Sequence, residues 1–237
     1  MQPATHQPTV FDAMAFASPE AIGRAMLLGD SNAWRLSQAE QVAAVSDALA
    51  DGAATARDVL SRIGSMPPDL LAARLGVSVA ISNEPARLGP LWRLADYAAR
   101  PTPSITLYRD GIAVIEAAAA EPDTAYLLGD SNPREILIAH ELYHHIETAR
   151  PECQVSQRWK VTLIKLGRWR WQSGLPVLSE IAAGAFAQTL LSLPAHPHLL
   201  DLVVVKAVTG RASAEPGSRI GELCRGALPD AGVGVRH

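Results

Sequence analysis

Apolar residues recur along this chain with two different spacings, and the spacings predict its secondary structure. A period of three to four residues predicts helices in the following segments: 20–28, 38–50, 54–63, 67–75, 133–148, 176–194 and 199–208. Shorter apolar runs predict strands in three segments: 77–81, 104–108 and 112–117. Gly52 and Gly64 are expected to end helices, and Asp110-Gly111 is expected to form a tight turn between the last two strands.

The same pattern divides the chain into three regions. Residues 1–66 are expected to be a flexible, polar N-terminus followed by a helical extension, 67–197 the main domain, and 198–237 a helix with a poorly ordered tail. The extension could be a DNA reader or a helical cap. Residues 1–60 carry three basic and seven acidic side chains, so the cap is favoured, because a phosphate-binding face needs a basic surplus.

The predicted helix 133–148 has clear boundaries. Ser131 or Asn132 can cap it, Pro133 suits its first position, and Glu135 lies three residues after Asn132, as in a capping box. Ile138 and Leu142 point away from His140, so one face is expected to pack while the other faces a cleft.

The cleft side of this helix carries an H-E-x-x-H motif, His140-Glu141-Leu142-Tyr143-His144. On a helix the two histidines lie about 40° apart around the axis and about 6 Å apart along it, so both imidazoles can reach one zinc ion. Glu141 lies beside the pair, where it can act as a base on a metal-activated water.

A zinc site needs a third protein ligand, and the best candidate is Glu180 on the helix that Pro176 begins. Ala183, Gly184 and Ala187 share its face, and small residues would let the two helices approach closely. Glu147, one turn beyond His144, is the next candidate if Glu180 is not a ligand.

These residues together resemble the ImmA/IrrE family of prokaryotic and phage zinc metallopeptidases. The resemblance rests on H-E-L-x-H-H at 140–145, followed by E-x-x-A-x-x-F-A-x-x-L-L at 180–191, and extends weakly over about 67–194. Gly184 and Ala185 stand where the family often has an asparagine and a basic residue. The resemblance implies an α+β fold with a zincin-like, minimal gluzincin core: a small antiparallel or mixed sheet and two zinc-binding helices, here with the helical N-terminal extension.

The family also implies a function. His140, His144 and Glu180 would bind zinc, and Glu141 would be the catalytic base of an endopeptidase that cuts a regulatory protein such as a repressor or antitoxin. The oxyanion could be stabilised by one of four candidates: Tyr108, Tyr126, Tyr143 or His145. A non-catalytic zinc-fold module for binding or sensing is the alternative, although such a scaffold would not need Glu141.

Composition fits an intracellular enzyme. The net charge of −3 and the 19% of charged residues give no overall attraction to nucleic acid or to anionic membranes, so neither is expected as a partner. Cys153 and Cys224 have no metal-type spacing. No signal peptide and no apolar stretch of membrane-spanning length can be recognised, so a cytoplasmic location is expected.

The segment between the two metal-binding helices interleaves bases with tryptophans from Arg158 to Trp171 and contains no acid. An amphipathic helix with buried tryptophans is the favoured interpretation. A rim that holds an acidic or extended substrate, and a single-stranded nucleic acid site, are the alternatives.

Overall fold

The computed structural model describes residues 18–88, 91–120 and 124–201, and over these ranges the protein is α+β. The predicted flexible N-terminus and nearly all of the predicted C-terminal helix and tail lie outside these residues. The α-helices that lie wholly within these ranges are α1 Pro19–Gly29, α2 Gln38–Ile63, α3 Pro68–Arg74, α4 Arg109–Ala119, α5 Pro133–Thr148, α6 Val155–Arg158 and α7 Val177–Leu191. No described helix is both long enough and apolar enough to cross a membrane.

A three-stranded mixed sheet lies beside the helices. Its strands are β1 Ser78–Ser82, β4 Ala95–Ala98 and β5 Ser104–Tyr108. β5 is central, pairing parallel with β1 and antiparallel with β4. The sequence predicted β1 and β5 but not β4. Two minor strands, β2 Arg87–Leu88 and β3 Leu91–Trp92, pair with each other.

Two of the predicted helices are one helix, and Gly52 does not end it. Gly52 is buried in the middle of α2, where that helix crosses α7. A Cβ at this position would lie 2.0 Å from the carbonyl oxygen of Ala182. Gly52 is therefore a close-contact residue that brings α2 against α7, and α2 shares one hydrophobic core with the α5 and α7 helices.

The segment predicted as the strand 112–117 is helical, and Asp110-Gly111 is not a hairpin turn. Both residues lie in the first turn of α4, which directly follows β5. The carboxylate of Asp110 accepts hydrogen bonds from the backbone N–H of Ala86 at 3.0 and 3.1 Å. Since Ala117–Ala119 has high helix propensity and Ile115 packs into a core of helices, the segment is more stable as a helix.

The basic and aromatic segment is also not a helix. It forms a hairpin of β6 Val161–Leu166 and β7 Trp169–Ser173, joined by Gly167 and Arg168. Trp169 and Trp171 are exposed rather than buried. Apolar and basic residues alternate on both sides of Gly167, and that period of two was the strand signal in the sequence.

The helix that carries the H-E-x-x-H motif matches its prediction from end to end. Asn132 Oδ1 accepts the N–H of Glu135 at 3.0 Å, and Glu135 Oε2 accepts the N–H of Asn132 at 3.0 Å, which completes the capping box. Ile138 and Leu142 are fully buried. The helix is therefore fixed at its start and along its apolar face, which leaves the His140 face to define a site.

Candidate metal centre

Three side chains from α5 and α7 converge on one point. His140 Nε2 lies 3.1 Å from Glu180 Oε2, His144 Nε2 lies 3.5 Å from Glu180 Oε1, and the two histidine Nε2 atoms are 3.3 Å apart. In the part of the chain that the structure describes, these residues form the one group of three or more His, Cys, Asp or Glu side chains whose donor atoms could share a metal ion.

The three side chains form a triangle whose spacing is compatible with a shared metal ion. With zinc–ligand distances of about 2.0–2.2 Å, neighbouring donor atoms of a tetrahedron are separated by about 3.3–3.5 Å. The observed separations of 3.1, 3.3 and 3.5 Å are close to this value, although the two histidines face different oxygens of Glu180. Two imidazoles and one carboxylate also form a donor set that leaves a fourth position open, as catalytic sites do.

Helix packing creates the triangle. His140 and His144 are one turn apart on α5, so their side chains leave the helix on the same side. Glu180 lies in the first turn of α7, which packs along α5. The side chains are 25%, 19% and 51% exposed, in that order, so the group opens to solvent on the Glu180 side.

Glu180 and His144 each shift the pKa of the other. Burial raises the pKa of Glu180, but hydrogen bonds from His140 and His144 outweigh burial and hold that pKa well below its ordinary value. Burial lowers the pKa of His144, and the carboxylates of Glu147 and Glu180 outweigh it and raise the pKa to about 10. The carboxylate of Glu180 thus places negative charge beside the two Nε2 atoms, where a cation would lie.

Glu141 adjoins the triangle but is not part of it. Its side chain is buried, and this burial raises the pKa of its carboxyl, an effect that His140 and His144 partly oppose. A carboxylate that holds its proton more tightly than usual is a stronger base. The position and environment of Glu141 suit proton transfer rather than coordination.

Glu147 faces the opposite side of His144. Its Oε2 lies 4.0 Å from His144 Nδ1, the ring nitrogen that does not point into the triangle. Its Oε1 accepts hydrogen bonds from the Ser179 hydroxyl at 2.8 Å and from the Val155 N–H at 3.2 Å. Glu147 is therefore not the third member of the triangle; it orients the histidine and ties α5 to α7.

Three of the four oxyanion candidates have their polar groups engaged by other residues. The buried Tyr143 donates its hydroxyl to Asp51 of α2 at 2.8 Å. His145 Nδ1 lies 2.9 Å from the Tyr97 hydroxyl on β4. The Tyr108 hydroxyl donates to Asp96 at 2.7 Å, and burial together with Asp96 raises its pKa to about 12.

A cavity of about 800 Å³ extends from the triangle, and His140, Glu141 and Glu180 line it. Its apolar wall includes Met26 of α1 and Leu137 of α5. The N-terminal helix therefore forms part of the cavity that adjoins the candidate metal centre.

The cavity also contains a polar pair that the sequence analysis missed. His198 Nδ1 lies 2.8 Å from Asp201 Oδ2, and both residues line the cavity. With Nδ1 engaged, Nε2 is the ring nitrogen left for a ligand. The i,i+3 spacing of a histidine and an aspartate at a helix start was the available signal in the sequence.

The neighbour of Gly184 differs from the one that its spacing predicted. It was expected to bring α7 close to the histidine helix, but the space beside it is filled by the imidazole of His196.

Comparison with models of known protein families, with curated proteins and with solved structures found no match for this chain.

Proposed function

We propose that this protein is a zinc-dependent endopeptidase of the ImmA/IrrE type with a zincin-like core. The proposal is carried by one observation: the Nε2 atoms of His140 and His144 lie 3.3 Å apart, and each lies 3.1–3.5 Å from an oxygen of Glu180, beside a buried glutamate. A mixed sheet, a helix with this motif and a second helix with a glutamate are also the parts that a gluzincin-like core needs.

His140, His144 and Glu180 would hold the ion. A bound zinc ion would supply Lewis acidity toward a peptide carbonyl and lower the pKa of a water toward about 7. Glu141 accepts the proton of the attacking water and passes it to the leaving amine, and its buried carboxyl has the raised pKa that suits both transfers. A peptide would occupy the adjoining cavity, whose lining is largely apolar.

The resemblance supports a regulatory protein, such as a repressor or antitoxin, as the substrate. The cytoplasm is the proposed place of action. A non-catalytic zinc module for binding or sensing is the competing function. The two differ at Glu141, because a scaffold requires ligands but no base.

Metal content tests the first half of the proposal. Purified protein should contain about one zinc ion per chain, and replacing both His140 and His144 with alanine should remove it. Elemental analysis of the wild type and the double variant measures this. Full retention of zinc in the double variant would show that the metal binds elsewhere.

Glu141→Gln tests the second half. The variant should keep its zinc and its fold but lose hydrolysis of candidate repressor and antitoxin proteins, because the base is removed while the three ligands remain. Mass spectrometry of the products, with elemental analysis in parallel, separates the outcomes. A zinc-loaded wild type that binds a partner without cutting it, and a Glu141→Gln variant that binds equally well, would favour the scaffold. Loss of zinc in Glu141→Gln would make Glu141 a ligand.

A further inference from the structure

The β6–β7 hairpin exposes four large apolar side chains on one face. Ile164 lies opposite Trp171, and Leu166 lies opposite Trp169, so all four point to the same side of the ribbon. Their exposed fractions are 57%, 68%, 77% and 74% respectively. A contiguous exposed patch of this kind marks a surface that meets another apolar phase.

The other face of the ribbon is basic. Lys165 lies opposite Arg170, and the two-residue turn adds Arg168. All three side chains are exposed, and no described carboxylate lies within 4.0 Å of them. The sequence contains no Asp or Glu between Cys153 and Ser179, so the positive charge is not neutralised along the ribbon.

The base of the ribbon is held firmly against the helices. Val161 is buried, and Arg35 Nη1 donates to the carbonyl oxygen of Thr162 at 2.9 Å. Arg35 also stacks over the ring of Trp34, which is 71% exposed and therefore adds a third exposed indole beside the ribbon. The apolar face is thus presented on a fixed projection.

This distribution matches elements that lie in a membrane interface. Such elements carry Trp and Leu on one face and Lys and Arg on the other. Indoles favour the headgroup level, and long basic side chains can reach anionic headgroups from the opposite face. Single-stranded nucleic acid needs aromatics and cations along one shared groove, and a flat acidic protein surface could contact only one face.

We propose that the β6–β7 ribbon docks this protein on an anionic lipid surface. The low charge of the whole chain gave no sign of this, because the basic residues of the ribbon are offset by acidic residues elsewhere in the sequence. The ribbon faces lipid with Ile164, Leu166, Trp169 and Trp171, while Lys165, Arg168 and Arg170 bind the headgroup phosphates. This docking does not depend on the peptidase activity.

Co-sedimentation of the full-length protein with lipid vesicles tests the proposal. Vesicles of equal parts phosphatidylglycerol and phosphatidylcholine should bind the protein at least about tenfold more strongly than vesicles of phosphatidylcholine alone. Binding to the anionic vesicles should weaken as salt is added, because salt screens the attraction of the exposed bases.

Two double variants address the two faces separately. Lys165→Glu with Arg170→Glu, and Trp169→Ser with Trp171→Ser, should each lower vesicle binding by about tenfold or more. Arg57→Glu with Arg74→Glu is the charge control, since it changes two exposed bases elsewhere. Val42→Ser with Leu70→Ser is the apolar control, since both side chains are more than half exposed. The controls should bind as the wild type does, and circular dichroism checks the fold of every variant.

Three outcomes would overturn the proposal. The first is a wild type that does not sediment with anionic vesicles. The second is ribbon variants that bind as well as the controls. The third is a wild type that does not bind the vesicles but binds a single-stranded oligothymidine or an acidic peptide through Lys165, Trp169, Arg170 and Trp171. That result would assign the ribbon to that partner instead.

Discussion

The imidazole of His196 lies directly against Gly184 of α7. A Cβ at residue 184 would be 2.2 Å from the Cε1 atom of His196, so this contact exists only because residue 184 has no side chain. The ring is 2% exposed, its Nε2 lies 3.3 Å from the Ile181 carbonyl oxygen, and its Nδ1 accepts the N–H of His198 at 3.3 Å. Both ring nitrogens are thereby satisfied by a neutral imidazole.

Gly184→Ala should lower the free energy of unfolding by about 1–3 kcal/mol, because the ring must move out of a packed position. Urea denaturation measures the loss. Gly29→Ala is the matched control: Gly29 is also helical, a Cβ there meets nothing within 4 Å, and the change should be neutral or slightly stabilising. In a His196→Ala background, Gly184→Ala should lower the free energy of unfolding by less than it does in the wild type. An equal loss in both backgrounds would contradict the contact.

His196 should make stability depend on pH. Burial is the main cause that lowers its pKa to about 4, and the nearby His198 and His140 lower it further. The hydrogen bond with the Ile181 carbonyl and the charge of Asp201 act in the opposite direction. Since the unfolded histidine titrates near 6.5, the unfolded chain binds more protons between these values, and stability falls as pH falls. The loss from His196 between about pH 7 and about pH 5 should be about 2 kcal/mol. Urea denaturation at both pH values measures it. His196→Gln should remove the share of this loss that comes from His196. If the free energy of unfolding of that variant depends on pH as in the wild type, His196 is not the cause.

Gly52→Ala should destabilise the protein by more than about 3 kcal/mol. The new methyl group would meet the backbone oxygen of Ala182 at 2.0 Å, and backbone cannot move aside as a flexible side chain can. Thermal and urea unfolding, again beside Gly29→Ala, measure the difference. A Gly52→Ala protein as stable as the wild type would mean that α2 and α7 do not cross at these residues.

Glu147→Gln and Glu180→Gln should differ in their effect on zinc. Glu147 only orients His144, so its replacement should weaken zinc affinity by about 10–100-fold. Replacing Glu180 removes a donor charge from the triangle and should weaken affinity more. Competition with a chelating dye ranks the two variants. The reverse order would make Glu147 the ligand.

His198→Ala should lower kcat by about 10²-fold while zinc content stays the same, because His198 lines the cavity and its Nε2 has no hydrogen-bond partner among the described residues, which leaves it available to stabilise the oxyanion. Asp201→Asn should cause a smaller loss, since it only weakens the orientation of the ring. Steady-state kinetics with elemental analysis distinguish the roles. If His198→Ala changes KM but not kcat, His198 binds substrate without stabilising the transition state.

The sequence by itself determined the H-E-x-x-H helix and which of its side chains share a face. Asn132, Pro133 and Glu135 fix where α5 begins, and helical periodicity then places His140 and His144 on one face. These are local effects within a few residues, so no knowledge of the rest of the fold is needed. Glu180 was also identifiable, because a glutamate among apolar neighbours on a helix implies a partner.

Only the tertiary structure decided where Gly52, Glu147 and His196 lie. Gly52 has the local preferences of a helix stop, yet contact with Ala182 keeps it inside α2. The sequence ranked Glu180 first and Glu147 next as a ligand, but only packing shows that Glu147 faces Nδ1 of His144 and that Glu180 faces Nε2. His196 has no motif at all; its place against Gly184 depends on residues brought together by long-range packing, which local sequence patterns do not encode.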